Sequence, residues 1–345
     1  MSTTTTAMEI VLPGQVEAAG LLVIHREIGA PGPGQALVRV EASGVSFAEQ
    51  QMRRGKYYDQ PAYPFVPGYD LVGTVEAVGA GVEAGLVGTR VAALTKIGGW
   101  SSHVLLEAAD LVPVPAGLDP ADAETFVVNG ITAWQMLHRI AKVRAGQTVL
   151  VHGANGGVGS TLVQLAQLAG ARVIGTASAR NAEQVRALGA EPVDYRGNIV
   201  AQVRALAPEG VDAVFDHVGG AGIVDSFGLL ADGGTLVSYG TAATKDDAGN
   251  SRLPVLKLIG RLLLWNALPN GRHTHFYNIW AGKRRPAKFR AQLAADLGAV
   301  LALAARGQLT AQVGARFPLS QAAQALATAE SHSVTGKVVL VADAR

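Results

Sequence analysis

The pattern of apolar and polar positions changes character about a third of the way along the chain. Up to about Pro115 the apolar residues come in short runs, Ala36–Val40, Gly73–Val78, Arg90–Leu94 and His103–Leu106, broken by Pro31-Gly-Pro-Gly34, Gly79–Gly81 and Gly98-Gly99. Such runs, punctuated by Gly and Pro, predict an all-β, barrel-like module. Past Asp119-Pro-Ala-Asp122, an acidic helix-start signal, the texture becomes one of alternation. Strand-like Thr148–Val151, Arg172–Thr176, Pro192–Tyr195, Ala213–Asp216 and Thr235–Tyr239 are separated by stretches such as Ser160–Ala169 and Asn181–Leu188, whose apolar residues recur three and four apart. That predicts a parallel sheet with helices on both faces, and an α/β class overall. The tail reads as helix Lys288–Arg306, strand Gln312–Phe317, helix Ser320–Ala329 and strand Lys337–Val341, and its strands are expected to rejoin the first module.

Composition narrows the picture. The 345 residues are 49% apolar with 42 glycines and only 16% charged, which excludes long disordered tails and charge-solvated coiled coils. With 29 basic and 27 acidic residues the net charge is +2, so there is no chain-wide field for gripping a polyanion, and nucleic-acid binding is not expected. Cysteine is absent, which removes disulfides, thiolate nucleophiles and any zinc site that needs a Cys ligand. The segment Met1–Met8 has no basic region followed by an apolar core, and no apolar run approaches the ~18 residues of a membrane span, so a soluble, cytoplasmic protein is expected.

The strongest chemical signal is Gly153-Ala-Asn-Gly-Gly-Val-Gly159, between the strand Thr148–Val151 and a helical run. In that context glycines let the backbone approach a pyrophosphate, and the helix start supplies unpaired N–H groups. The first of the three spaced glycines of such a turn is replaced by Ala154, while Gly156 and Gly159 hold the other two places. A carboxylate at the end of the second strand would hold a ribose 2′-hydroxyl; here Ser178 and Arg180 stand there, with none before Glu183. A hydroxyl and a guanidinium suit a 2′-phosphate, so NADPH is the expected cofactor.

Several further segments carry a family resemblance: Gly44-Val-Ser-Phe-Ala-Glu49, Arg54-Gly-Lys-Tyr57, Pro67-Gly-Tyr-Asp-Leu-Val-Gly73, Gly98-Gly-Trp-Ser101, Gly130-Ile-Thr-Ala133, Asp194-Tyr-Arg196 and Gly336-Lys-Val-Val-Leu340. With the glycine turn, in this order, they make the chain resemble the zinc-free quinone oxidoreductase and enoyl reductase branch of the medium-chain dehydrogenase/reductase superfamily, over nearly its whole length. The resemblance implies a GroES-like catalytic domain (1–125, rejoined by 285–345) around a Rossmann NADP-binding domain (126–284), an active cleft between them, and a homodimer. It places Asn155, Gly156, Gly157, Val158, Gly159, Ser178, Arg180, Tyr195, Ser238, Tyr239, Gly240 and Lys337 on the cofactor, with Arg196 near its adenosine phosphate. Ser46, Tyr57 and Thr132 fall at the chemistry, and Phe47, Tyr58, Trp100, Trp265 and Tyr277 shape the substrate pocket. Zinc relatives have Gly-His-Glu where this chain has Gly68-Tyr69-Asp70, so zinc-activated alcohol oxidation is not implied. His273 and His275, two apart, lack an evident third ligand. Gln51 occupies a place where some quinone reductases have Tyr.

Without a metal, the natural reaction is hydride delivery to a quinone or to the β-carbon of an enone or enoyl thioester, with Tyr57 or Tyr58 as hydrogen-bond or proton donor. A protein that binds NADPH and serves a membrane or nucleic-acid partner, with little activity, is the other class. The stretch Ser251–Arg290 bears on this choice: it holds nine of the basic residues and none of the acidic ones, leaving 20 basic against 27 acidic elsewhere, and Leu253–Leu268 within it is apolar. It reads either as a solvated cap over the substrate pocket or as a guide for an anionic substrate or a membrane surface.

Overall fold

The computed structural model describes residues 4–244, 252–331 and 333–343; Met1–Thr3 of the N-terminal segment and Ser251 of the basic stretch lie outside the described residues. The chain forms two compact units, Met1–Ile131 with Arg284–Arg345, and Thr132–Lys283. Helix Pro120–Thr125 belongs to the first unit, where it packs against the strands Gln35–Val45 and Asp70–Val78.

In the first unit, Thr5–Val11 and Leu22–Ile28 form an antiparallel hairpin. A seven-stranded mixed sheet follows the order Val313–Pro318, Lys337–Val341, Gln35–Val45, Asp70–Val78, Arg90–Leu94, Val112–Pro113, and His103–Glu107 also pairs with Gln35–Val45. The 11-residue strand Gln35–Val45 is the spine: it takes His103–Glu107 along its first half and Lys337–Val341 along its last residues, so the chain end closes on the first module. Alternate residues Ala36, Val38 and Val40 meet Leu71, Val75, Val91 and Ala93 in a shared core. Besides the helices Pro286–Ala305 and Ala322–Glu330, two short helices interrupt this β-rich unit. Phe47–Arg53 is opened by Ser46 and Glu49 in a reciprocal capping box, and Pro120–Thr125 by Asp119, whose carboxylate accepts from Ala121 and Asp122 N–H with proline at the first turn.

The second unit holds a six-stranded, all-parallel sheet in the order Glu191–Asp194, Arg172–Ala177, Thr148–Val151, Val211–Asp216, Leu230–Ser238, His273–Phe276. The chain enters in the middle, winds outward one way, then returns to wind the other way. The reversal lies between Thr148–Val151 and Val211–Asp216, and in open sheets of this kind ligands bind beyond the carboxyl ends of the strands at that point. Leu150, Ile174, Val214 and Leu236 of the strands pack with Val203, Ile223, Leu258 and Leu262 of the helices. Helix Arg252–Ala267 and edge strand His273–Phe276 are not foreseen by the sequence reading. Among the described residues no helix is long and apolar enough to cross a membrane.

Candidate active site

The glycine turn lies where the parallel sheet reverses. Strand Thr148–Val151 ends, the chain turns through residues 152–156, and helix Gly157–Leu168 begins with Gly156 as its cap. A glycine cap has no side chain to accept from the first amide N–H groups, so these remain available to an anion. Gly159 is required by packing: a Cβ there would sit 2.1 Å from the Gly153 carbonyl oxygen. Ala154, in the place of the first spaced glycine, is buried and its N–H donates to the Thr176 carbonyl, so its methyl packs inward instead of obstructing the turn.

Beneath this turn runs a buried chain of hydrogen bonds that the sequence reading missed. Gly153 N–H donates to Thr176 Oγ (3.0 Å), which lies 3.4 Å from His152 Nδ1. His152 Nε2 lies 3.0 Å from Ser226 Oγ, and Ser226 donates to Asp216 Oδ2 at 2.6 Å. The other Asp216 oxygen accepts from Val218 and Gly219 N–H. Since the Ser226 hydrogen goes to Asp216, Ser226 accepts from His152, which carries a hydrogen on Nε2. Burial lowers the His152 pKa, against the pull of Asp216, and so favours the neutral ring. The glycine turn is thereby tied to the loop after strand Val211–Asp216.

At the same end of the sheet three buried polar atoms have no partner: Ser178 Oγ after strand Arg172–Ala177, His217 Nδ1 after Val211–Asp216, and Ser238 Oγ at the end of Leu230–Ser238. A buried polar atom without a partner costs about 1–3 kcal/mol, so three at one edge mark a place where a polar ligand completes the structure. The glycine cradle and these atoms fit a dinucleotide. His217, its pKa lowered by burial and by His152, is the member with no signal in the motif reading.

The structure brings most expected cofactor residues of this unit to that edge. Tyr195 N–H donates to the Ala177 carbonyl, which sets it beside Ser178; its ring is half exposed under the Arg196 guanidinium, and Arg180 is exposed on the adjoining turn. Tyr239 N–H donates to the Asp216 carbonyl, its ring is 5.8 Å from that of His217, and Gly240 follows it. Tyr277 joins the same edge, with its N–H on Ser238 O and its hydroxyl on Gln135 Oε1 at 3.0 Å. Asn155 is half-buried in the turn and Thr132 is buried on helix Val128–Trp134. Trp265 requires a correction: its ring stacks on Phe227 at 4.2 Å within the packing of the sheet, so it is not a pocket wall. His273 and His275 are exposed on the edge strand, and among the described residues no group of three or more His, Asp or Glu side chains could hold a metal ion.

In the first unit the tyrosines gather. Tyr57 and Tyr69 hydroxyls lie 2.9 Å apart with their rings edge to face, and the Tyr58 ring is 4.9 Å from that of Tyr57. Burial, helped by both neighbouring tyrosines, pushes the Tyr57 hydroxyl well above the ordinary phenol range. Tyr69 is fixed from its backbone, whose N–H donates to Glu49 Oε1 at 2.7 Å. Burial raises the Glu49 pKa as well, against its bond to Ser46. Ser46, expected at the chemistry, here caps a helix and bonds Glu49, and Phe47 at the helix start is exposed. Gln51 is buried on the same helix.

Two expectations for this unit are corrected. Trp100 is fully buried, with its indole N–H on the Gly44 carbonyl (2.9 Å), and packs with Ile10, Val45 and Leu326: it is core. Lys337 is only 5% exposed, and its ammonium is taken by Asp70 (2.9 Å) and Glu124 (2.6 Å), so it is not available to a cofactor. Burial alone would lower the Lys337 pKa; the two carboxyls overcome it and raise it. Glu124 is pushed well up by burial and by the charge of Asp70, against Lys337. Gly44 makes room, since a Cβ there would lie 2.1 Å from Lys337 Cε.

Comparison with known proteins agrees with this construction. A family model described as zinc-binding dehydrogenase matches residues 188–340, and one for the alcohol dehydrogenase GroES-like domain matches 32–116. The donor set does not fit the zinc of that description, because cysteine is absent and Tyr69 and Asp70 are engaged with Tyr57 and Lys337. The phthioceranic/hydroxyphthioceranic acid synthase of Mycobacterium tuberculosis is 34% identical over 337 residues, 96% of this chain but 15% of that protein, so the chain spans a small part of it. A solved mycobacterial quinone oxidoreductase is 30% identical with a TM-score of 0.81, covering 97% of this chain and 99% of that one. A mycobacterial structure complexed with NADPH is 29% identical with the same TM-score and coverage. With the glycine turn at the reversal of a parallel sheet and a GroES-like first unit, the chain belongs to the medium-chain dehydrogenase/reductase superfamily of oxidoreductases, with a quinone oxidoreductase among its relatives.

Proposed function

We propose that the protein is an NADPH-dependent, zinc-independent reductase of a quinone or an activated enone. The observation that carries this reading is the set of unpartnered atoms, Ser178 Oγ, His217 Nδ1 and Ser238 Oγ, beside the glycine turn at the carboxyl ends of the parallel strands. When bound, NADPH supplies the hydride. The N–H groups at Gly157–Gly159 bind the pyrophosphate, Ser178 and Arg180 answer the 2′-phosphate beside Tyr195, and the Gly153–His152–Asp216 chain holds the turn in shape. Tyr57 keeps its proton throughout the neutral range because burial raises its pKa. Substrate binding turns the Tyr57 hydrogen from its tyrosine neighbours, the Tyr69 hydroxyl at 2.9 Å among them, to the substrate oxygen that gains charge as the acceptor carbon takes hydride. That makes it a hydrogen-bond donor before it is an acid. The enzyme works as a homodimer in the cytoplasm under this reading.

A second reading, reduction of an α,β-unsaturated acyl thioester, is favoured by the match to the acid synthase over 96% of the chain. The test is loss of NADPH absorbance with the purified protein against a benzoquinone, a naphthoquinone, a cyclic enone and a trans-enoyl thioester. Turnover of quinone or enone is expected. Turnover of the thioester alone selects the second reading, and saturable NADPH binding without turnover of any of them would overturn both in favour of a binding protein.

A further inference from the structure

The three tyrosines of the first unit run from its core toward its surface. Tyr57 is bonded on both sides, to the Tyr69 hydroxyl at 2.9 Å and to the Tyr58 side chain. Tyr69 is buried, Tyr57 and Tyr58 are half-buried, and Asp59, the next residue, is exposed. The inner end is clamped: Tyr69 N–H donates to Glu49 at 2.7 Å, and its carbonyl accepts from Thr95 and Lys96 N–H at 2.8 and 3.0 Å. Lys96 is held in the left-handed region at φ 70°, a conformation that costs energy for any residue with a Cβ, and its ammonium pairs with Asp59 at 2.5 Å. The turn that grips Tyr69 therefore also grips the residue beside Tyr58, so both ends of the row are tied to one frame.

The two neighbours of Tyr57 are not equivalent. A phenol carries one hydrogen, so once Tyr57 gives its own away it needs another from a neighbour. Tyr69 lies on the buried side, and Tyr58 on the side of Asp59 and solvent. Acidity follows the same order: burial and both neighbours raise Tyr57, whereas Tyr58, also raised by burial, is drawn back down by its bond to Tyr57. Of that pair, Tyr58 carries negative charge at the smaller cost. On the reading of Tyr57 as the donor to the substrate oxygen, on which this inference rests, we propose that Tyr58 is the proton source behind it. As the acceptor carbon takes hydride, the Tyr57 hydrogen passes to the substrate oxygen, the Tyr58 hydrogen passes to the Tyr57 oxygen, and a proton from solvent restores Tyr58. One hydride and one solvent proton are consumed in each turnover, and the charge does not rest on Tyr57. Tyr69 is a positioning residue that holds the Tyr57 oxygen in line.

The test is kcat for the best substrate among the quinones, enone and thioester, measured with NADPH in mixtures of light and heavy water. Rate against deuterium fraction should curve in the wild-type chain, because two protons move together, and become a straight line in Tyr58→Phe, while Tyr69→Phe keeps the curve. Tyr58→Phe should lower kcat about tenfold with KM little changed, and the same substitution made on top of Tyr57→Phe should add nothing. In the cofactor-free protein, magnetic resonance of isotope-labelled tyrosine Cζ should show Tyr58 ionising at lower pH than Tyr57, a readout that needs no substrate. A straight line in the wild-type chain, a curve that survives Tyr58→Phe, an equal loss in both backgrounds, or Tyr57 ionising first would overturn the relay. A curve straightened by Tyr69→Phe instead would draw the proton from the buried side and overturn it too. Turnover of none of the substrates by the wild-type chain would overturn the reading of the protein as a reductase and the relay with it, whereas turnover that Tyr58→Phe leaves unchanged would overturn the relay alone.

Discussion

Each unit buries a polar network, and the two are finished differently. In Thr132–Lys283 the bonds run from Gly153 through Thr176, His152 and Ser226 to Asp216, and then stop at an edge where Ser178, His217 and Ser238 each retain an unanswered atom. In the first unit, Lys337, Asp70 and Glu124 close on one another: the ammonium bonds both carboxyls, and Asp70 also takes the Val128 N–H at 2.9 Å. Asp70 Oδ1 and Glu124 Oε2 have no partner either, but each belongs to a carboxyl already held by Lys337 through its other oxygen, whereas the Ser178 and Ser238 hydroxyls have no partner at all. An open network marks a surface that a ligand completes, and a closed one marks structure. This is why Lys337, though it stands in a segment carrying the family resemblance, is read as a strut.

The contrast is broken most severely by removing the cation. Lys337→Met should cost about 3–5 kcal/mol of stability, because two buried carboxyls lose their only cation; chemical denaturation would show the midpoint fall. In the second unit the same type of lesion, Ser238→Ala, removes an atom that has no partner in the free protein, so it should leave stability nearly unchanged and weaken NADPH instead. Tyr57→Phe should lower kcat about 10²-fold with a smaller change in KM, as expected for a donor that acts on developing charge. Arg180→Glu should lower the preference for NADPH over NADH about tenfold or more, read from the ratio of kcat/KM values.

A smaller effect sharpens the comparison through pH. Burial holds the folded pKa values of His152 and His217 below the usual 6.5, so below that pH the unfolded chain binds more protons than the folded one. Stability should therefore fall as pH drops from 6.5 toward 5, and His217→Gln should lessen the fall, measured as Tm against pH. An unchanged slope in that variant would show that His217 is not part of the cause.

What the sequence disclosed was local. The strands Thr148–Val151, Arg90–Leu94 and Lys337–Val341 were readable to the residue because each is a contiguous apolar run between turn signals. The glycine turn was legible because its whole chemistry lies within a few consecutive residues. The networks were not, because their members lie far apart: Lys337 is 213 and 267 positions from Glu124 and Asp70, and Ser226 is 74 from His152. A signal existed in the lysine that opens the apolar run Lys337–Val341, since a charge in a buried strand requires a partner. Trp100 and Trp265 misled for the opposite reason, because a large aromatic reads the same in a core as in a pocket. Helix Arg252–Ala267 was obscured by its two apolar faces, which blur the periodicity that normally betrays a helix.

The central claim, that the open edge of the second unit is completed by NADPH, is tested most directly by calorimetric titration of the protein with NADPH and with NADH. One saturable site per chain, tighter for NADPH and lost in Gly159→Val with the parallel sheet still folded, is the predicted result. Failure to saturate with NADPH, or equal affinity for the two cofactors, would contradict it.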